Sequence, residues 1–243
     1  ETDITSTGNA VSYGESMNAS RYGAAVASET RGVFAQGWNN PAVSNAIEFI
    51  TISNFGSSSD FGDLTLARNQ LGALSNNTRG IFAGGNPQTD VIDFVNIAST
   101  GQFLSFGELI RGRSDNACCS SPTRGFTAGD QGYAPAYNET NTIEFVTIQT
   151  TGNATLFGDL TMEKYGMGSC SSTTRGIWAG GAAPVTNTID FITMASTGNA
   201  TDFGDLTAAY SQLRGLSNSI RGVFAGGYIS PAETNLMRYI TNA

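Results

Sequence analysis

The chain has 243 residues, 30 of them glycine, and only 13% carry a charge. Its formal charge of −8, with a pI near 4.4, argues against nucleic acid and anionic membranes as partners. Histidine is absent, which removes His-based triads, His general bases and the usual His-rich metal sites.

No apolar run reaches the roughly 18 residues that a membrane-spanning helix needs, so no membrane insertion is expected. The chain starts at Glu1 without an initiator Met or a signal-peptide pattern, which suggests a processed chain or an excised domain.

Taken in order, the chain repeats itself. An Arg-Gly step recurs at Arg31, Arg79, Arg124, Arg175 and Arg221, at intervals of 48, 45, 51 and 46 residues. A period of this size signals a repeat architecture. Each unit divides into four short segments punctuated by turn residues. Segment a is small and polar around one apolar position, as in GALSNNT (72–78). Segment b closes on a glycine pair, as in GIFAGG (80–85). Segment c is AIEFITI (46–52), VIDFVNI (91–97), TIEFVTI (142–148) or TIDFITM (188–194). Segment d is SDFGDL (59–64), LSFGEL (104–109), TLFGDL (155–160) or TDFGDL (201–206).

Segment c is apolar on both faces apart from one acid, so it must be covered twice, as in stacked sheets. The glycine pair lets a neighbouring backbone or ring approach. The Phe of segment d (Phe61, Phe106, Phe157, Phe203, with Tyr13 equivalent) supplies a wedge for that packing. Twisted four-stranded sheets stacked around an axis make a propeller. The chain begins with a turn plus a segment d, STGNAVSYGE (6–15). It ends with segments a and b and a segment c, LMRYITNA (236–243). Together these ends complete one unit. The expectation is an all-β, single-domain, five-bladed propeller of four-stranded antiparallel blades. Blade 1 covers about 22–64, blade 2 about 72–109, blade 3 about 115–160 and blade 4 about 167–206. Blade 5 covers about 214–243 plus 7–16, so the N-terminal strand closes the ring.

The hydrophobic run ending in Gly-Gly, the aromatic in segment c and the aromatic late in segment d resemble kelch repeats. The basic residue after segment d (Arg68, Lys164) fits that resemblance. Phe where kelch has Trp, and the broken pairs Gln36-Gly37 and Gly129-Asp130, depart from it. The wording TRGxFAGG…IDFITIASTGNATDFGDLT also resembles repeats of virion structural and tail-associated proteins of marine cyanophages. The resemblance implies a structural or binding module of a virion or other extracellular assembly. The alternatives are an intracellular kelch-type protein-interaction adaptor and a propeller enzyme acting on carbohydrate. The kelch-type copper oxidases depend on His and Tyr ligands, and this chain has no His.

The candidate residues follow from what repeats and what varies. The repeat arginines sit at the a–b turn, and an acid recurs in segment c (Glu48, Asp93, Glu144, Asp190), with Arg238 in its place in the last unit. They suggest either a charged ring at a channel mouth or arginines bracing turns through carboxylate or backbone hydrogen bonds. The segment d acids (Asp63, Glu108, Asp159, Asp205, Glu15) would be spread over different blades, whereas glycoside hydrolysis needs two across one sugar. Cys119 and Cys170 fall in an apolar column with Val26, Leu74 and Leu216 and read as small buried hydrophobes. A Cys118–Cys119 disulfide or an inter-repeat bridge is the alternative. Asn-Ala-Thr steps read as turn chemistry. No cofactor, no metal and no catalysis is expected.

The b–c loops, by contrast, all differ: WNNPAVSN (38–45), NPQTD (86–90), DQGYAPAYNETN (130–141), AAPVTN (182–187) and YISPAETN (228–235). They carry Trp38, Tyr133, Tyr137 and Tyr228, candidates for contact with a glycan or protein surface. Binding is commonly placed on loops of a rigid scaffold.

Overall fold

The computed structural model describes residues 12–132 and 139–242. Over these residues it is all-β, with five antiparallel sheets arranged as a five-bladed propeller. Blade 1 runs Ala24–Ala27, Arg31–Ala35, Ala46–Thr51 and Ser59–Asp63, paired in that order as segments a to d. Blades 2, 3 and 4 repeat this, with the longest outer strands at Leu104–Arg113 and Thr201–Tyr210. Blade 5 contributes Arg214–Ser217, Arg221–Ala225 and Met237–Thr241.

Most of the repeated text is explained by contacts between blades rather than within them. In blades 2 to 5, the Gly of the Thr/Ile-Arg-Gly step receives an apolar side chain from segment a of the preceding blade. A Cβ on Gly80 would meet Val26 Cγ2 at 2.7 Å, one on Gly176 would meet Cys119 Sγ at 2.8 Å, and one on Gly222 would meet Cys170 Sγ at 2.5 Å. The cysteine column is therefore packing, and all three cysteines are free thiols. Burial pushes the Cys118 thiol up to about 11 and Cys170 up to about 12. The same close approach predicts that Gly125→Ala destabilises the fold by about 1–3 kcal/mol, since its Cβ would lie 2.3 Å from Leu74 Cδ1. Urea titration of the variant reads this directly.

The Phe-Gly step of segment d has a second cause. In blade 1, Ile47 pairs with Gly62 and Glu48 with Asp60, so Phe61 is an extra residue in a β-bulge. Its carbonyl thereby turns to the next blade and accepts the Gly101 N–H at 2.8 Å. Gly152 donates to Phe106 and Gly198 to Phe157 in the same way. Glycine must follow the Phe because the neighbouring turn occupies the place of its Cβ: Gly101 O would lie 2.3 Å from a Cβ on Gly62.

The described N-terminal residues take this position against blade 1. Gly56 N–H donates to Tyr13 O at 3.0 Å and Ser58 N–H to Glu15 O at 2.9 Å, matching the links between the other blades. Tyr13–Glu15 thus meet blade 1 as segment d of the other blades meets the blade that follows. Residues 7–11 lie outside the described residues, and among the described residues no ladder joins 12–16 to Met237–Thr241.

Four apolar clusters fill the seams from blade 1 to blade 5. The seam from blade 5 back to blade 1 is the loosest. Leu216 is 49% exposed there, while its equivalents Val26, Leu74, Cys119 and Cys170 are 4–6% exposed. A Cβ on Gly32, which has the place of a receptor for Leu216, would come nearest Phe34 and Ile50 of its own blade, at 3.2–3.4 Å.

Candidate binding face

The two ends of the propeller are built differently. At the a–b end, the repeat arginines are bracing groups. Each guanidinium stacks on the segment c ring of its own blade, as Arg79 does on Phe94 at 4.5 Å and Arg221 on Tyr239 at 4.8 Å. Arg31, Arg79 and Arg124 also donate to the carbonyl at the end of segment c in the next blade: Ile97, Ile148 and Met194. Serine hydroxyls tie the inner strands into a ladder, with Ser120 donating to Ser75 O at 2.7 Å, Ser171 to Ser120 O at 2.9 Å and Ser217 to Ser171 O at 2.7 Å. Asn76 Oδ1 accepts from the Thr78 and Arg79 N–H groups, and Asn153 and Asn199 accept from Glu108 and Asp159 N–H. Those asparagines are turn and seam chemistry. The mouth at this end is a hollow of about 470 Å³ lined by neutral hydroxyl and amide residues and Pro122.

The segment c acids do not form a charged ring at this mouth, and they do not pair with the repeat arginines. They are buried in the seams and paired with the basic residue that follows segment d of the preceding blade. Arg68–Asp93 (3.0 Å), Arg113–Glu144 and Lys164–Asp190 (2.9 Å) are each inaccessible to solvent on both side chains. Burial pushes the Arg68 and Lys164 pKa values down, and the partner carboxylates only partly offset it. The remaining two seams use substitutes. Arg238 meets Tyr210 and Thr207. Glu48 is held by Ser16, Ser58, Gln36 and the Met17 N–H. Gln36 breaks the glycine pair because its amide supplies Glu48 where Ser20 stands in place of the cation.

At the other end, a belt of main-chain bonds circles most of the channel mouth. Gln70 N–H donates to Tyr22 O, Asp115 to Gln70, Gly166 to Asp115 and Gln212 to Gly166, at 2.7–3.1 Å. All five residues have left-handed φ between 50° and 61°. Behind the belt, the channel and the blade 5–blade 1 seam enclose about 670 Å³, lined largely by small residues such as Ala24, Ala25, Gly72 and Ala73.

The b–c loops of blades 1, 2, 4 and 5 stand around this mouth and are pinned at their roots. Trp38 bridges Arg21, Asn86 bridges Asn69, Ala182 bridges Tyr165 and Tyr228 bridges Ser211. Two loops fold back as ribbons, Trp38–Asn39 with Ala42–Val43 and Tyr228–Ile229 with Ala232–Glu233. In blade 3, Asp130 takes the second glycine's place and is buried against Arg111 (2.7 Å), Gln88 (3.2 Å) and the Ser114 N–H (2.9 Å). The loops are therefore fixed at the base and vary in what they present.

Of the four candidate ligand residues, Trp38 is partly exposed and Tyr228 is 39% exposed at this end. Tyr133 and Tyr137 lie outside the described residues. Two residues escaped sequence reading, Arg21 and Tyr22. The guanidinium of Arg21 lies 5.2 Å from the Tyr22 ring and 5.9 Å from the Trp38 ring. The available signal was positional: Tyr22 is the aromatic member of the belt column Tyr22, Gln70, Asp115, Gly166, Gln212.

Among the described residues no three of His, Cys, Asp and Glu gather as a metal site, and no helix is long and apolar enough to cross a membrane. No protein-family model matches the chain, and no curated protein matches it. The likeness to kelch repeats and to cyanophage virion proteins stands on the repeat wording alone.

Proposed function

We propose that this propeller is a non-catalytic binding or structural module of a virion or other extracellular assembly, contacting a glycan or protein surface through its b–c loops. The propeller fold is compatible with such a role. The supporting observation is the asymmetry of the two ends. One is tiled with arginines, serines and asparagines already bonded to neighbouring blades. The other carries pinned loops of different length and chemistry, with aromatic rings among them.

The experiment is a glycan array and cell-surface binding assay on Trp38→Ala, Tyr228→Ala and Tyr133→Ala/Tyr137→Ala. Gln149→Ala, from the a–b mouth, is the control. Loop variants should lose about 1–3 kcal/mol of binding, the scale of interface anchors, with melting temperatures unchanged. Loss confined to Gln149→Ala would move the site to the opposite end. The same preparations should turn over no glycoside or alcohol substrate. Turnover abolished by changing one acid or tyrosine would refute the non-catalytic reading.

A further inference from the structure

The chain has 12 lysines and arginines, and Arg21 differs from the others in how it is held. Arg68, Arg113, Lys164 and Arg111 are paired with carboxylates. Arg31, Arg79, Arg124 and Arg214 donate to carbonyls, and Arg238 donates to Thr207 and Tyr210. Arg175 is also engaged. Arg221 stacks on Tyr239 at the braced end. Arg21 is exposed at the b–c end, and among the described residues its guanidinium has no carboxylate or carbonyl acceptor.

Its contacts are with the two rings. Its guanidinium carbon lies within cation–π range of both rings, 5.2 Å from Tyr22 and 5.9 Å from Trp38, and its planar fork of N–H donors remains available to an oxyanion. Tyr22 is fixed beside it by the belt. It is a bulky residue at φ 59°, 49% exposed, in a conformation that side chains other than glycine rarely adopt. The belt holds it there through its carbonyl, which accepts the Gln70 N–H at 2.8 Å. Asn39 and Asn40 follow Trp38 on the same ribbon.

We infer that Arg21, Tyr22 and Trp38 form a subsite for an acidic sugar, a pyranose carrying a carboxylate or sulfate. This rests on the b–c end being the binding end. The free N–H pair suits bidentate recognition of a planar or tetrahedral oxyanion. The exposed rings suit the C–H face of the pyranose, and the asparagine amides suit its hydroxyls. A ring of hydroxyls beside one charge is what a carbohydrate offers and an acidic peptide does not. The net charge of −8 is screened beyond about 8 Å at physiological salt, so recognition is by contact and not by long-range steering.

The test titrates the intact chain with three hexasaccharides: a polygalacturonate, a heparin fragment and uncharged cellohexaose, with hexaglutamate as the peptide arm. At least one acidic hexasaccharide should bind about tenfold or more tighter than cellohexaose. Arg21→Gln should remove that preference, Arg21→Lys should restore part of it, and Trp38→Ala should weaken every saccharide. Equal binding of charged and neutral sugars, binding of hexaglutamate alone, or no binding by any saccharide overturns the inference. Binding that falls in Trp38→Ala or Tyr228→Ala but is untouched by Arg21→Gln overturns it and leaves the b–c end as the site. Binding indifferent to all of these changes overturns both.

Discussion

Asp93→Ala should destabilise the propeller by about 3–5 kcal/mol, the scale of orphaning one member of a buried ion pair. Arg68 and Asp93 are both inaccessible to solvent, and the carboxylate also accepts from the Thr65 hydroxyl and N–H at 2.6 and 3.2 Å. Removing it leaves the guanidinium with the Phe82 carbonyl as its acceptor, at 3.2 Å. The double replacement Arg68→Met/Asp93→Leu should recover most of the loss, because an apolar pair of similar volume escapes the desolvation penalty. Chemical denaturation of the two variants beside the parent decides it. A loss under about 1 kcal/mol for Asp93→Ala would show that the seam is wetter than its geometry implies.

Deleting residues 1–17 should have the next largest effect. It removes the Ser16 hydroxyl and the Met17 N–H from the buried Glu48 carboxylate, and Tyr13 O and Glu15 O from the blade 1 turn. Each such bond is worth about 0.5–1.5 kcal/mol net, and an uncovered buried acceptor costs more. The loss should exceed about 3 kcal/mol. It carries a pH signature. Burial by itself would push Glu48 up, but hydrogen bonds from Ser58, Met17, Gln36 and Ser16 outweigh it and hold the carboxylate below its ordinary value. A depressed folded pKa contributes stability that is fully present above the unfolded carboxylate range and lost as pH falls through the folded value. The intact chain should therefore weaken on acidification below that range, and the deletion variant should lose part of this dependence. Melts of the deletion matching the parent at neutral and acid pH would contradict the role of 12–17 at the seam.

The fold was legible because its unit repeats, and because segment c needs cover on both faces. The pairing of side chains was less so. From sequence, the repeat arginines and segment c acids suggest a charged ring at a channel mouth, or arginines bracing turns through carboxylate or backbone hydrogen bonds. The structure instead places three of the acids against the base that trails segment d of the unit before, Arg68 to Asp93, Arg113 to Glu144 and Lys164 to Asp190. That partner is close in space only because one blade's outer strand lies over the next blade, and no local pattern encodes this. Arg79 reaches a main-chain acceptor of the next blade, Ile148 O. The Arg21–Tyr22 feature was hidden for another reason. Nothing in the residue type of Tyr22 marks a left-handed conformation; it follows from the belt that Gln70, Asp115, Gly166 and Gln212 share.

In the proposed reading, one end of the propeller braces and the other binds. Hydrogen–deuterium exchange with and without the tightest-binding member of a glycan panel tests this most directly. Protection should appear at 21–22, 38–43 and 228–233, with the a–b turns at 76–78, 121–123, 172–174 and 218–220 unchanged. Protection of those a–b turns, with the b–c ribbons unaffected, would contradict it.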